Sequence, residues 1–171
     1  MKGLSAVYNP FRRMTSGYYG GLEGIMHLQM RGDDLYPTRG EEPYIWEYLS
    51  FVNTTNTKDL SWGNIYEGIQ MANEFIYRAA TVDMDETKRE QMIGEAYFLR
   101  GFWYFRLRTD YRDAVIRTLP QDADPETHGL SSGDEVLEQA ISDFKEAKSR
   151  LPKLRSSDEN GRVTQGAAIA M

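Results

Sequence analysis

The sequence predicts an all-α fold, a helical repeat of the α-α superhelix kind with long irregular loops. Apolar residues recur at helical spacing over several long segments, and two of those segments open on helix-capping signals. Small residues stand where two antiparallel helices would cross. At 171 residues the chain has the size of one domain, and 1–171 is read as a single region.

Each element follows from local chemistry. Ser5 to about Met30 is apolar and aromatic but carries Gly17, Gly20, Gly21 and Gly24, which predicts a helix broken near its middle. Asp33 to Lys58, "DDLYPTRGEEPYIWEYLSFVNTTNTK", sets proline, glycine and polar clusters around aromatic islands and reads as a long irregular loop. Ser61 to Ala80 is a helix, with Trp62, Ile65, Tyr66, Ile69, Ala72 and Ile76 at helical spacing. Thr87 and Glu90 stand at capping-box spacing and open a helix that runs to about Thr109. Asp110 to Gly129, with Pro120, Pro125 and Gly129, is a connector. Ser132 and Glu135 repeat the capping-box spacing and start a helix that ends at Leu151, before Pro152. After the polar turn "SSDENGR" a last helix has barely begun when the sequence stops.

The segment "GEAYFLRGFWYFRLRTDY" (Gly94 to Tyr111) carries the densest aromatic content. On a helical wheel Phe98, Phe102 and Phe105 share one side, Tyr97 and Tyr104 another, and Leu99, Trp103 and Leu107 lie opposite the phenylalanines. A helix apolar nearly all round packs between neighbours, whereas a membrane-surface helix needs a clean polar face. Stacking on nucleic acid is opposed by the charge balance, 20 Lys and Arg against 26 Asp and Glu. Arg100, Arg106 and Arg108 are expected to run their stems over the core and pair with acids such as Glu95 or Asp110. The absence of cysteine rules out disulfides, thiolate metal sites and thiol nucleophiles.

The helix partner is suggested by "AISDFKEAKSRLP", where Ala140, Phe144, Ala147 and Pro152 have the spacing of the second helix of a tetratricopeptide repeat. Gly101 and Tyr104 supply the small-residue and tyrosine pair of the first helix, with Asp110 to Gly129 inserted between the two.

These blocks together point to a family. "WGNIYEGIQMAN" (Trp62 to Asn73), "GEAYFLRGFWYFRL" (Gly94 to Leu107), "SGDEVLEQAISDFKEAKSRLP" (Ser132 to Pro152) and "GRVTQGAA" (Gly161 to Ala168) occur in the order found in the SusD/RagB family, which the chain resembles from about Tyr8 onward. The resemblance implies a non-catalytic nutrient-binding lipoprotein of the Bacteroidetes outer membrane, facing outward and built on tetratricopeptide-like helices. It also implies a SusC-like TonB-dependent transporter as partner, to which oligosaccharides or peptides are handed. Members begin with a signal peptide and a lipidated cysteine and run to several hundred residues, so the expectation is that this chain is the amino-terminal portion. The tyrosine-glycine element that follows the central helix in members is Tyr111-Arg112-Asp113 here, which leaves the geometry of that loop open.

Ligand contact is expected in the loop Asp33 to Tyr48. A sugar presents an apolar C–H face to aromatic platforms and hydroxyls to polar groups. Tyr36, Arg39, Tyr44, Trp46 and Tyr48 supply both, and the resemblance implies the same location without identifying single residues. The same rings could instead anchor the loop on the helices. His27 and His128 lack the spacing of a metalloprotease or triad site, and neither Asp33-Asp34 nor Glu41-Glu42 shows the carboxyl arrangement of a glycosidase. Asp122 to Gly129 has alternating acids but lacks the rest of a calcium loop. No cofactor, metal or nucleic-acid partner is expected. A helical-repeat scaffold that binds a protein partner is the second reading, and an all-helical glycan-active enzyme the third.

Overall fold

The structure, a computed structural model, describes residues 2–12 and 62–171. The chain divides into two compact units, residues 1–8 with 65–171 and residues 9–64. Of the second unit only 9–12 and 62–64, the ends of two helices, are described. The helices are α1 (Lys2–Arg12), α2 (Trp62–Ala79), α3 (Glu86–Asp110), α4 (Gly133–Arg150) and α5 (Gln165–Ala170), with a 3-10 turn at Ser157–Glu159. Among the described residues the only sheet-like pairing is an isolated antiparallel bridge between Ala114 and Ser131. The all-α, tetratricopeptide-like expectation therefore stands.

Two boundaries differ from expectation. Helix α1 begins at Lys2 rather than Ser5, and the predicted break near its middle lies outside the described residues. Helix α3 begins at Glu86 because Asp85 caps it, accepting from the Lys88 N–H at 2.8 Å. Thr87 is thus already helical, and the capping box read from Thr87 and Glu90 is not used. Asp wins because its charge adds attraction to the positive helix end beyond the hydrogen bond. At α4 the expected capping box forms in full. The Ser132 N–H donates to Glu135 Oε2 at 2.7 Å and the Glu135 N–H to Ser132 Oγ at 3.4 Å.

Helices α3 and α4 make an antiparallel hairpin whose seam is built of small residues. A Cβ added at Gly94 would stand 2.9 Å from Arg150 Cβ, and one at Gly101 would stand 3.0 Å from Asp143 Cβ and 3.1 Å from the Ala140 carbonyl oxygen. Ala140 and Ala147 are fully buried, and Phe144 fills the space beside them, with its ring 5.5 Å from that of Phe98. On the other side of α3, Trp103 is fully buried against α2, and its indole leaves no room for a side chain at Gly68. Leu99, Trp103 and Leu107 are the deepest stripe of α3, whereas Phe98, Phe102 and Phe105 are half-buried. The core reading of the aromatic helix is right, and the helix is unevenly enclosed.

The arginine pairings are partly corrected. Arg106 pairs with Asp110 at 2.8 Å as expected, but Arg100 reaches across to Asp143 on α4, and Glu95 is claimed by arginines from beyond α4. Arg100 faces the hairpin seam, where no acid of its own helix can follow it.

Candidate functional site

Tyr36, Arg39, Tyr44, Trp46 and Tyr48, with the rest of the Asp33 to Tyr48 loop, lie outside the described residues. The described residues show instead how the family blocks are locked together. The connector 114–119 is neither helix nor strand, and side chains bind its backbone. The Tyr66 hydroxyl donates to the Val115 carbonyl and accepts from the Val115 N–H, both at 2.8 Å. Tyr104 does the same for Arg117, at 2.5 and 2.8 Å. Asn73 donates to the carbonyls of Arg117 and Leu119, and Arg100 to that of Thr118. A loop that would otherwise leave buried backbone groups unsatisfied is thereby paired.

Arg100 anchors this network. It grips Asp143 through two bonds of 2.7 and 2.8 Å and donates to Asn73 Oδ1 at 2.8 Å, while Gln139 donates to the same carboxylate at 3.0 Å. Burial raises the Asp143 carboxyl above the ordinary aspartate range, and the fork-on-fork bonds from the Arg100 guanidinium oppose that rise. The sequence held a signal for this pair. Asp143 sits among Ala140, Phe144 and Ala147 on the buried face of α4, and a carboxylate there requires a cationic partner.

A second buried cluster joins the blocks "GEAYFLR" and "GRVT". Glu95 is fully buried and accepts from the Tyr8 hydroxyl at 2.6 Å, from Arg155 Nη2 at 2.8 Å, and from Arg162 through both Nε and Nη2. Burial and the bond to Glu95 raise the Tyr8 phenol well above its ordinary value, so it remains a donor. Arg162 is aimed by a type II turn. Asn160 has φ −55° and ψ 136°, Gly161 has φ +89°, and the Arg162 N–H donates to the Glu159 carbonyl at 3.2 Å. The glycine of "GRVT" is there because the third position of this turn needs positive φ. Both clusters hold the fold, since each carboxylate is fully engaged by guanidinium groups.

Beside the Glu95 cluster a cleft of about 690 Å³ opens between α1, the start of α3 and the turn 156–162. Tyr8, Arg162, Lys88, Gln91, Ser156 and Asp158 are among the residues that line it. His128 bonds Asp124 at 2.7 Å. Among the described residues no group of three or more His, Asp or Glu side chains could hold a metal ion, and no helix is long and apolar enough to cross a membrane.

Comparison with known proteins agrees with this scaffold. Residues 33–171 match the SusD-like_3 family, described as starch-binding and associating with the outer membrane. The chain is 26% identical over 160 residues to SusD-like protein P38 of Formosa agariphila, covering 90% of this chain and 30% of that protein. A solved laminarin-binding SusD-like protein is 28% identical, with a TM-score of 0.85 over 99% of this chain and 37% of that one. A SusD superfamily protein from Bacteroides vulgatus is 25% identical, with a TM-score of 0.83 over 99% of this chain and 37% of that one. The chain spans about a third of the length of these relatives. It belongs to the SusD-like family.

Proposed function

We propose that this chain supplies the helical scaffold and the ligand loop of a non-catalytic, outward-facing outer-membrane protein that binds oligosaccharides or peptides and delivers them to a SusC-like TonB-dependent transporter. The observation that carries the reading is the likeness, over 99% of the chain, to a protein whose solved form is named for binding laminarin. The division of labour within the chain supports it. Tyr66, Asn73, Glu95, Arg100, Tyr104 and Asp143 of the family blocks are engaged in internal hydrogen bonds, which favours ligand contact by groups outside those blocks. Tyr36, Arg39, Tyr44, Trp46 and Tyr48 are the proposed contacts, rings for the C–H faces of a sugar and the guanidinium for its hydroxyls.

The test uses the full-length protein that contains this sequence. Calorimetric titration with β-glucan, α-glucan and peptide ligands, with chromatography of the same mixtures, is expected to show saccharide binding without products. Product formation would move the protein to the enzyme class, and binding of proteins or peptides alone would favour the scaffold reading or the peptide branch. Co-purification of a TonB-dependent transporter from outer membranes tests delivery, and its failure under conditions that preserve the membrane complex would remove that step.

A further inference from the structure

Just past the end of α3, Arg112 holds φ +72°, a backbone conformation that strains any residue with a Cβ. Strain kept at an exposed position, where glycine would relieve it, asks for a compensating role. The surroundings leave room for the side chain. A Cβ on Gly133, the first residue of α4, would stand 2.8 Å from Arg112 Cγ and 3.0 Å from Arg108 Nε, so two arginine side chains converge on one bare glycine.

Neither guanidinium is used by the fold. Arg108 and Arg112 make no side-chain hydrogen bond among the described residues, and the carboxylates paired with them stand 3.9 Å away, Asp134 from Arg108 and Asp113 from Arg112. Arg108 Nε is buried without an acceptor, a state that polar groups in folded proteins rarely keep. Arg100, Arg106, Arg155 and Arg162, by contrast, all grip carboxylates at hydrogen-bonding distance. The acids nearby are committed elsewhere. Asp113 accepts from the Gly133 N–H at 2.8 Å and Glu135 from the Ser132 N–H at 2.7 Å, so both serve the start of α4. Asp134 is left as a loose counter-charge, its side chain 92% exposed. Two guanidinium forks beside one such carboxylate leave a local positive excess on a chain of net charge −6. Forks of this kind match carboxylates through paired bonds. Arg112 is 79% exposed and gives a free ion no enclosure, whereas a carboxylate carried on a protein segment brings further contacts with it. We infer that Arg108 and Arg112, where the end of α3 meets the start of α4, form a contact surface for an acidic protein segment. The surface shares no residue with the proposed saccharide contacts.

Fluorescence polarisation on the full-length protein tests it, with a labelled peptide of alternating Glu and Ser as probe and its Gln and Ser counterpart as control. The Glu peptide is expected to bind, more weakly as salt rises, and the Gln peptide to stay free. Arg112→Gly should weaken that binding by about tenfold or more while the melting temperature rises, a split that a purely structural residue would not give. Arg108→Gln should weaken it likewise, its melting temperature verifying the fold, and Asp134→Asn should tighten it by removing the competing carboxylate. Equal affinity of the wild type and both arginine variants, or binding of neither peptide, would overturn the surface. Inorganic phosphate that displaces the peptide at the peptide's own concentration would make this a small-anion site, and tighter, arginine-dependent binding to phosphatidylglycerol vesicles would make it a lipid contact; either result would overturn the acidic-segment reading. Saccharide titration of Arg112→Gly is expected to match the wild type, so failure of this inference leaves the proposed function standing.

Discussion

Arg112 holds a backbone conformation that suits glycine. Its φ is +72° just past the end of α3, and its N–H donates to the Leu107 carbonyl at 3.2 Å, closing the helix as a left-handed cap does. The family resemblance points to glycine near this position, and Arg112 takes a conformation that glycine would adopt without strain. A non-glycine residue there carries a steric cost of about 1 to 2 kcal/mol, and glycine adds unfolded-chain entropy of about 0.5 to 1 kcal/mol. Arg112 is largely exposed, and its side chain stands 3.9 Å from the Asp113 carboxylate. Arg112→Gly is therefore expected to stabilise by about 0.5 to 1 kcal/mol, read as a higher melting temperature. A fall would mean that the guanidinium supplies more than this loose contact. Trp103 is the opposite case. It is fully buried between α2 and its own helix, so Trp103→Ala should cost about 3 to 5 kcal/mol in denaturant unfolding. Unchanged unfolding together with lost ligand binding would make it a ligand residue instead.

At the scale of elements, the hairpin of α3 and α4 was legible because its determinants are local. The capping box of Ser132 and Glu135, Gly101, and the Ala140 and Ala147 pair each find their expected place, while the cap of α3 falls to Asp85 instead of Thr87. Ala147→Leu should overpack this crossing and cost about 1 to 3 kcal/mol, seen as a lower unfolding midpoint at unchanged slope. What spacing could not give was pairing between distant segments. Glu95 shares its helix with Arg89, Arg100, Arg106 and Arg108, yet it is bound by Tyr8, Arg155 and Arg162, up to 87 residues away. Helical periodicity reports which face a residue occupies and says nothing of which loop arrives there. Because Arg155 is almost fully buried and keeps only a longer pair with Glu159 at 3.4 Å, Glu95→Gln removes its nearest counter-charge, and a loss of about 3 to 5 kcal/mol is expected. A double-mutant cycle with Arg162→Ala checks the coupling, since additive effects would show that the two groups do not act as one unit.

At the scale of the whole molecule, none of the proposed ligand contacts is among the residues tied into the described buried pairs. Arg100, Asp143, Asn73 and Glu95 are tied into buried pairs, and Tyr66 and Tyr104 fix the connector, so replacing any of them disturbs the scaffold on which a ligand loop would rest. The proposed contacts in the loop Asp33 to Tyr48 could be read from the sequence only as a composition of rings and one guanidinium in a proline- and glycine-interrupted stretch. Such a stretch has no periodicity to assign a face, so its rings read equally well as ligand platforms or as anchors. Trp46→Ala separates the two roles. A sugar face stacked on an aromatic ring compares with a stacked base, for which removing the ring costs about 1 to 3 kcal/mol of binding. In the full-length protein Trp46→Ala should therefore weaken oligosaccharide binding by about that amount in calorimetry, with an unchanged melting temperature, while Trp103→Ala should lower the melting temperature. If Trp46→Ala instead lowers the melting temperature and leaves the affinity of the folded fraction untouched, Trp46 is a loop anchor, and the glycan contact belongs to other residues.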